Sequence, residues 1–127
     1  MKVIIAGPRD FFDAEQLDLA ILEAQVKGIL ITEVVCGKAR GVDTLGEEWA
    51  KKHNIPVKYF PADWDGLGKA AGHVRNGQMA RYGEALIALA YSEFPSPGTT
   101  NMIATALAMN LKVHVHKVER TGHETKA

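Results

Sequence analysis

The chain has 127 residues, 46% hydrophobic and 24% charged, with 12 Gly and 5 Pro, which is a one-domain globular mixture rather than a disordered or fibrous one. Its 15 Lys+Arg and 15 Asp+Glu cancel to zero, so there is no overall pull toward a nucleic-acid backbone, although a local basic patch stays open. One cysteine, Cys36, excludes an intrachain disulfide and a cysteine-rich metal site.

Residues 2–6, KVIIA, form a β-branched run that stops at Gly7-Pro8, as a strand covered on both faces would. This N-terminus lacks the length and cleavage site of a signal peptide, and no run reaches the roughly eighteen apolar residues of a membrane span. A reducing, cytoplasmic setting is expected. Asp13 opens a helix, with Gln16 completing a partial capping box and Leu17, Ile21 and Ala24 as its stripe. Residues 31–36, ITEVVC, are the second strand, and Gly37 to Asp43 is a turn. Leu45 and Trp49 then recur at helical spacing until Asn54 offers a stop. PVKYF is a third strand, PADWDGLG a loop, and residues 69–81 a helix. EALIALA, residues 84–90, is the most apolar run and reads as a central strand. A Pro/Gly turn, the helix TNMIATALAMN and the strand KVHVHKV complete the series.

Five strands separated by four helices, without linker or repeat, predict an α/β fold. It is a single doubly wound, mainly parallel five-stranded sheet with helices on both faces. The domain spans residues 1–118, and residues 119–127 read as a polar tail that frays. In such sheets ligands bind at the carboxyl ends of the strands, near the point where strand order reverses. Those ends carry GPRD, CGKARGVD, PADW and PSPGTT.

Within PSPGTT, Gly98 permits close backbone approach, and Thr99 or Thr100 can cap the next helix. The first amides of that helix lack internal partners and, with the helix dipole, suit an anion such as phosphate. In CGKARGVD, Gly37 and Gly41 bracket two cations, Lys38 and Arg40, that can meet phosphate. Asp43 can accept from a hydroxyl or serve simply as a helix cap. Arg9 follows strand one, where GxGxxG would stand in a dinucleotide fold; that fingerprint and the P-loop are both absent. His114 and His116 share a face of the last strand, but no third ligand is evident, so no metal is expected. Ser92 and Ser96 lack a nucleophile elbow.

Taken together, GPRDF, VVCGKARGVDTL, FPADW, GLGKAAGHVRNGQM and PGTTNMI resemble the small YspA-type proteins of the SLOG superfamily. These are Rossmann-like relatives of the lonely-guy phosphoribohydrolases, common in bacteria and phages. The resemblance covers roughly residues 3–115. It implies a site for a nucleotide or an NAD- or ADP-ribose-like derivative. Gly7 and Arg9 would line its floor, and Gly37, Ala39, Arg40, Gly41 and Asp43 its second loop. Arg75 and Asn76 would form the side, and Gly98 and Thr99 the phosphate turn.

The chain departs from that pattern at Cys36, where Ser is common, and at Lys38, where Gly is usual. The approach SEFPSP is also longer than usual, and the PGGxGT loop is reduced to PSPGT. The hydrolases carry their supposed catalytic glutamate in GTxEE, where this chain has Asn101 and Met102. An amide cannot supply the carboxylate for proton transfer or oxocarbenium stabilisation. The resemblance therefore implies a binding protein, a sensor or sequestering agent, with no certain cofactor beyond a bound nucleotide derivative. The alternative is a hydrolase of an N-glycosidic or phosphoester bond, with Asp43, Asp63 or Asp65 as its acid. A DNA-associated module is the weaker alternative, because only 7% of residues are aromatic and nucleic acid is not an expected partner. A homo-oligomer is expected through residues 99–111 and the neighbourhood of Met79 and Tyr82.

Overall fold

The computed structural model describes residues 1–120. Most of the sequence from 119 onward therefore lies outside the described residues. Five strands form one sheet: β1 (Lys2–Ala6), β2 (Glu33–Cys36), β3 (Val57–Tyr59), β4 (Ala85–Tyr91) and β5 (Lys112–Val118). Their order is β3-β2-β1-β4-β5, and every pairing is parallel. The chain builds outward from β1 to β3, then returns to the other side of β1. The crevice between β1 and β4 is the switch point of a Rossmann-like sheet.

Helix α1 (Ala14–Val26) packs on β4 and β5, and α2 (Val42–Lys52) on β1 and β2. Their shared core holds Ile5, Leu17, Ile21, Val34, Ile87 and Leu89. On the other face α4 (Ala71–Tyr82) and α5 (Pro97–Ala108) pack against each other and the sheet, enclosing Ile4, Val35, Met79, Leu86 and Met102. All seven residues of β4 are buried because neighbouring strands flank it and helices cover both faces. Each large apolar side chain so buried contributes roughly 1.5–3 kcal/mol relative to exposure. Among the described residues no helix is long and apolar enough to cross a membrane.

Local chemistry sets the element ends. Asp13 caps α1 by accepting from the Glu15 amide at 3.0 Å. Gln16 does not complete the capping box; its side chain reaches His116 on β5 instead. Asn54 stops α2 in the left-handed region at φ 57°. β2 begins two residues later than expected, because the Thr32 and Glu33 amides both bond the Met1 carbonyl. The segment expected as loop after β3 contains one helical turn, α3 (Trp64–Leu67), then a 3-10 turn at Gly68–Ala70. Asp63 caps α3 by accepting from the Gly66 amide.

Candidate functional site

The loops after β1, β2, β3 and β4 open into one cavity of about 630 Å3, within the usual size of a small-molecule site. Its wall carries the cations Arg9, Lys38, Arg40, Lys69 and Arg75 against one carboxylate, Asp43. The protein is neutral, so this local excess of positive charge is a property of the site rather than of the surface at large.

Two glycines expected in the site work mainly by packing. A Cβ on Gly7 would lie 2.6 Å from Val42 Cγ2, so Gly7 lets α2 approach the end of β1, although it also lines the cavity. Gly41 does not line the cavity. It holds φ 72°, precedes α2 as its N-cap, and presses on the Pro8 carbonyl, where a Cβ would lie at 2.3 Å.

Between them, Lys38, Ala39 and Arg40 border the cavity. Lys38 adopts φ 61°, the conformation that a glycine takes freely. Its ammonium pairs with Glu47 at 3.3 Å and sits over the Tyr59 ring, so it reaches along the surface of α2. Arg9 and Arg40 are exposed on the rim, and neither makes an ion pair among the described residues. The Cys36 thiol beneath this loop is buried and pushed up to about 11 by desolvation, which leaves it a poor nucleophile.

Asp43 lies inside the first turn of α2 rather than capping it. It is only 6% exposed, and its Oδ2 accepts from the Ala39 amide at 3.2 Å. Burial raises its pKa from 3.8 to about 6; the Ala39 amide and the Arg75 charge oppose that rise without cancelling it. Across Gly37 stands Arg75 of α4, whose Nη1 donates to the Gly37 carbonyl and whose Nε donates to Asn76 Oδ1 at 3.1 Å. Buried Asn76 in turn donates from Nδ2 to the Gly98 carbonyl at 3.3 Å and to Asn101 Oδ1 at 2.9 Å. One chain of hydrogen bonds thus links the β2 loop, α4 and the start of α5.

The expected turn at Gly98-Thr99 is already helix. Ser96 is the N-cap and Pro97 the first helical residue, where its missing N–H costs nothing. Neither threonine caps: Thr100 is exposed and outside the cavity, whereas Thr99 is buried and lines it. The Gly98 and Thr99 amides precede the first intrahelical bond, from Thr100 N–H to the Ser96 carbonyl at 3.0 Å. A Cβ on Gly98 would meet nothing within 4 Å, so this residue keeps space open rather than relieving a clash. Thr99 Oγ1 is buried without a hydrogen-bond partner among the described residues. Together these groups make a donor-rich edge suited to an anion.

Lys69 and His73, to which the sequence gives no role in the site, line the cavity together with Trp64, which the sequence offers as a stacking surface for a base. Trp64 and Lys69 are brought there by the turns at 64–70, which read as a plain loop in the sequence, and His73 by the first turn of α4. Asn101, which stands where the hydrolases have their acid, bonds Asn76 and does not line the cavity. His114 and His116 do have a third neighbour, Glu23 of α1, far away in sequence.

Residues 1–66 match the sequence profile of the YspA, cpYpsA-related SLOG family. The Gene 61 protein of Mycobacterium phage D29 is 31% identical over 117 residues, covering 88% of this chain and 93% of that protein. No solved structure matches the chain. The matched segment carries the β1 and β2 loops of the cavity, and the phage protein extends the likeness over α4 and α5. The chain belongs to the YspA, cpYpsA-related SLOG family.

Proposed function

We propose that the cavity binds a phosphate-bearing nucleotide derivative of the NAD or ADP-ribose type, and that the chain senses or sequesters it. The observation that carries this reading is the start of α5: the Gly98 and Thr99 amides precede the first intrahelical bond, both residues edge a cavity walled by Arg9, Arg40 and Arg75, and Thr99 Oγ1 is buried there without a partner among the described residues. An anion there completes the helix end and meets guanidinium groups. Asp43 accepts from a ribose hydroxyl, and the half-exposed Trp64 ring offers a flat wall for a base. Family membership supports a nucleotide-related ligand in general terms.

Native mass spectrometry of the purified protein, followed by calorimetry against NAD, ADP-ribose, cyclic ADP-ribose isomers and nucleoside monophosphates, tests the reading. Submillimolar binding of one phosphorylated compound, weakened roughly tenfold or more in Arg40→Ala, is expected. Absence of binding across the panel, or affinity unchanged in that variant, rejects it.

A hydrolase is the second reading, and Asp43 favours it: a buried carboxyl with a pKa of about 6 is suited to general acid–base work near neutrality. Product formation from any bound ligand, abolished in Asp43→Asn while binding persists, would move the protein into that class. Self-association is also proposed. Met79 is used within the chain's own core, so the exposed apolar side chains for a second copy are Leu19, Leu22 and Val26 on α1, with Leu107 and Met109 near the end of α5. A mass of 13.8 kDa by light scattering at high concentration would exclude it.

A further inference from the structure

A second polar cluster lies under α1, on the sheet face that otherwise holds Ile87, Leu89 and Val118. His114 and His116 alternate along β5, so both imidazoles turn to the same side. Glu23 comes down from α1 between them, its Oε1 lying 2.8 Å from His114 Nε2 and 2.8 Å from His116 Nδ1. The three ligand atoms fall within 4.8 Å of one another. The histidine side chains are 7% and 10% exposed and the glutamate 39%, so the cluster is buried at the sheet and open toward solvent at the carboxylate. None of the three lines the nucleotide cavity.

Two imidazoles and a carboxylate converging on one point are a donor set for a borderline divalent ion. Metal–ligand bonds of about 2.0–2.2 Å at tetrahedral angles separate neighbouring ligand atoms by roughly 3.3 Å, so each Glu23–histidine distance needs to open by only about half an ångström. The outer partners bear on the same point. Gln16 Oε1 lies 2.8 Å from His116 Nε2 and, as an acceptor, holds a proton there, so His116 ligates through Nδ1 once the proton that Nδ1 donates to Glu23 has left. We infer that Glu23, His114 and His116 form a binding site for a zinc-type divalent transition-metal ion, with Gln16 orienting His116.

Lys27 opposes the ion. Its ammonium donates to His114 Nδ1 at 2.8 Å, which leaves the imidazole proton on Nε2, facing Glu23. Ligation through Nε2 requires that proton to leave and Nδ1 to carry one instead, so Lys27 must swing into solvent, where its exposed side chain can go. Lys27 therefore acts as a built-in competitor for the site.

Tag-free, chelator-treated full-length protein titrated with Co2+, then with Zn2+ in competition, tests the site. One Co2+ per chain with visible d–d absorption, displaced by Zn2+ and indifferent to Mg2+, is expected. Glu23→Gln keeps the volume and an acceptor oxygen and should weaken the ion more than tenfold, as should His116→Ala; Gln16→Leu should cost roughly ten- to hundredfold. Lys27→Met should tighten binding about tenfold by removing a like charge. Near-ultraviolet circular dichroism of Glu23→Gln confirms that the fold is intact. No saturable Co2+ spectrum, or one unchanged in both Glu23→Gln and His116→Ala, overturns the site and leaves a hydrogen-bond network only. Unchanged affinity in Lys27→Met overturns the competition.

Discussion

Asn76 of α4 donates to Asn101 of α5 across 2.9 Å, so the side chain that the sequence resemblance sets against the phosphoribohydrolases' glutamate is engaged between two helices. Asn101 here holds two helices together, and the buried Asn76 that it accepts from also orients Arg75. Asn76→Ala removes the acceptor of Arg75 Nε and the donor to Gly98 and Asn101, and should destabilise the fold by roughly 1–3 kcal/mol. Asn101→Ala leaves Asn76 its Gly98 partner and should cost about 1 kcal/mol. Urea unfolding of both variants checks the order; an Asn101 variant less stable than the Asn76 variant would contradict it.

The sheet was legible because its signals are local. The run KVIIA ended where β1 ends, and Asp13 and Asn54 marked helix boundaries through their own side chains and backbone. What escaped depends on contacts between elements. Gly7 and Gly41 look like ligand-binding glycines in sequence, yet the first, although it lines the cavity, also serves the approach of Val42, and the second serves a left-handed turn against Pro8. The Pro97 start of α5 was readable, since proline favours the first helical position, but the following threonines drew the boundary three residues late. Glu23 could not have been paired with His114 from the sequence, because 91 residues separate them and only the packing of α1 across β5 joins them.

Gly37 separates Arg75 from Asp43. A Cβ there would lie 2.7 Å from Arg75 Nη1 and 2.8 Å from Asp43 Oδ2, both tips of side chains that can yield. Gly37→Ala should therefore cost only about 1–2 kcal/mol of stability while displacing the guanidinium. Ligand affinity should fall about as far as in Arg75→Ala, roughly ten- to hundredfold. Calorimetry paired with thermal unfolding checks it. Full affinity in the alanine variant would show that this pairing does not shape the site.

The raised pKa of Asp43 makes stability depend on pH. Its carboxyl titrates at about 6 in the fold against 3.8 unfolded, so between these values the folded chain holds a proton that the unfolded chain has lost. Stability from this group is complete below about pH 4, declines as pH rises to about 6, and is level above. The loss is on the order of 2–3 kcal/mol. Asp43→Asn removes that slope, so its stability relative to the parent should improve from pH 4 to pH 7. Urea unfolding at pH 4, 5.5 and 7 measures this, and parallel pH profiles for the two proteins would refute it.

Thr99 sets stability against function. Its Oγ1 is buried at the wall of the cavity with no partner among the described residues, so the free protein carries an unsatisfied hydroxyl. Thr99→Val replaces that hydroxyl with a methyl group of similar volume and leaves the helix backbone in place. Without ligand the valine variant should be more stable by about 1 kcal/mol, since it no longer desolvates a polar atom for nothing in return. With ligand the order should reverse in affinity: an anion at the start of α5 loses one donor but keeps the Gly98 and Thr99 amides, so binding should weaken roughly three- to tenfold rather than vanish. Thermal unfolding with and without ligand reads both effects on one sample. A variant destabilised without ligand would mean that the hydroxyl is satisfied within the fold, and one with unaltered affinity would place the anion elsewhere in the cavity.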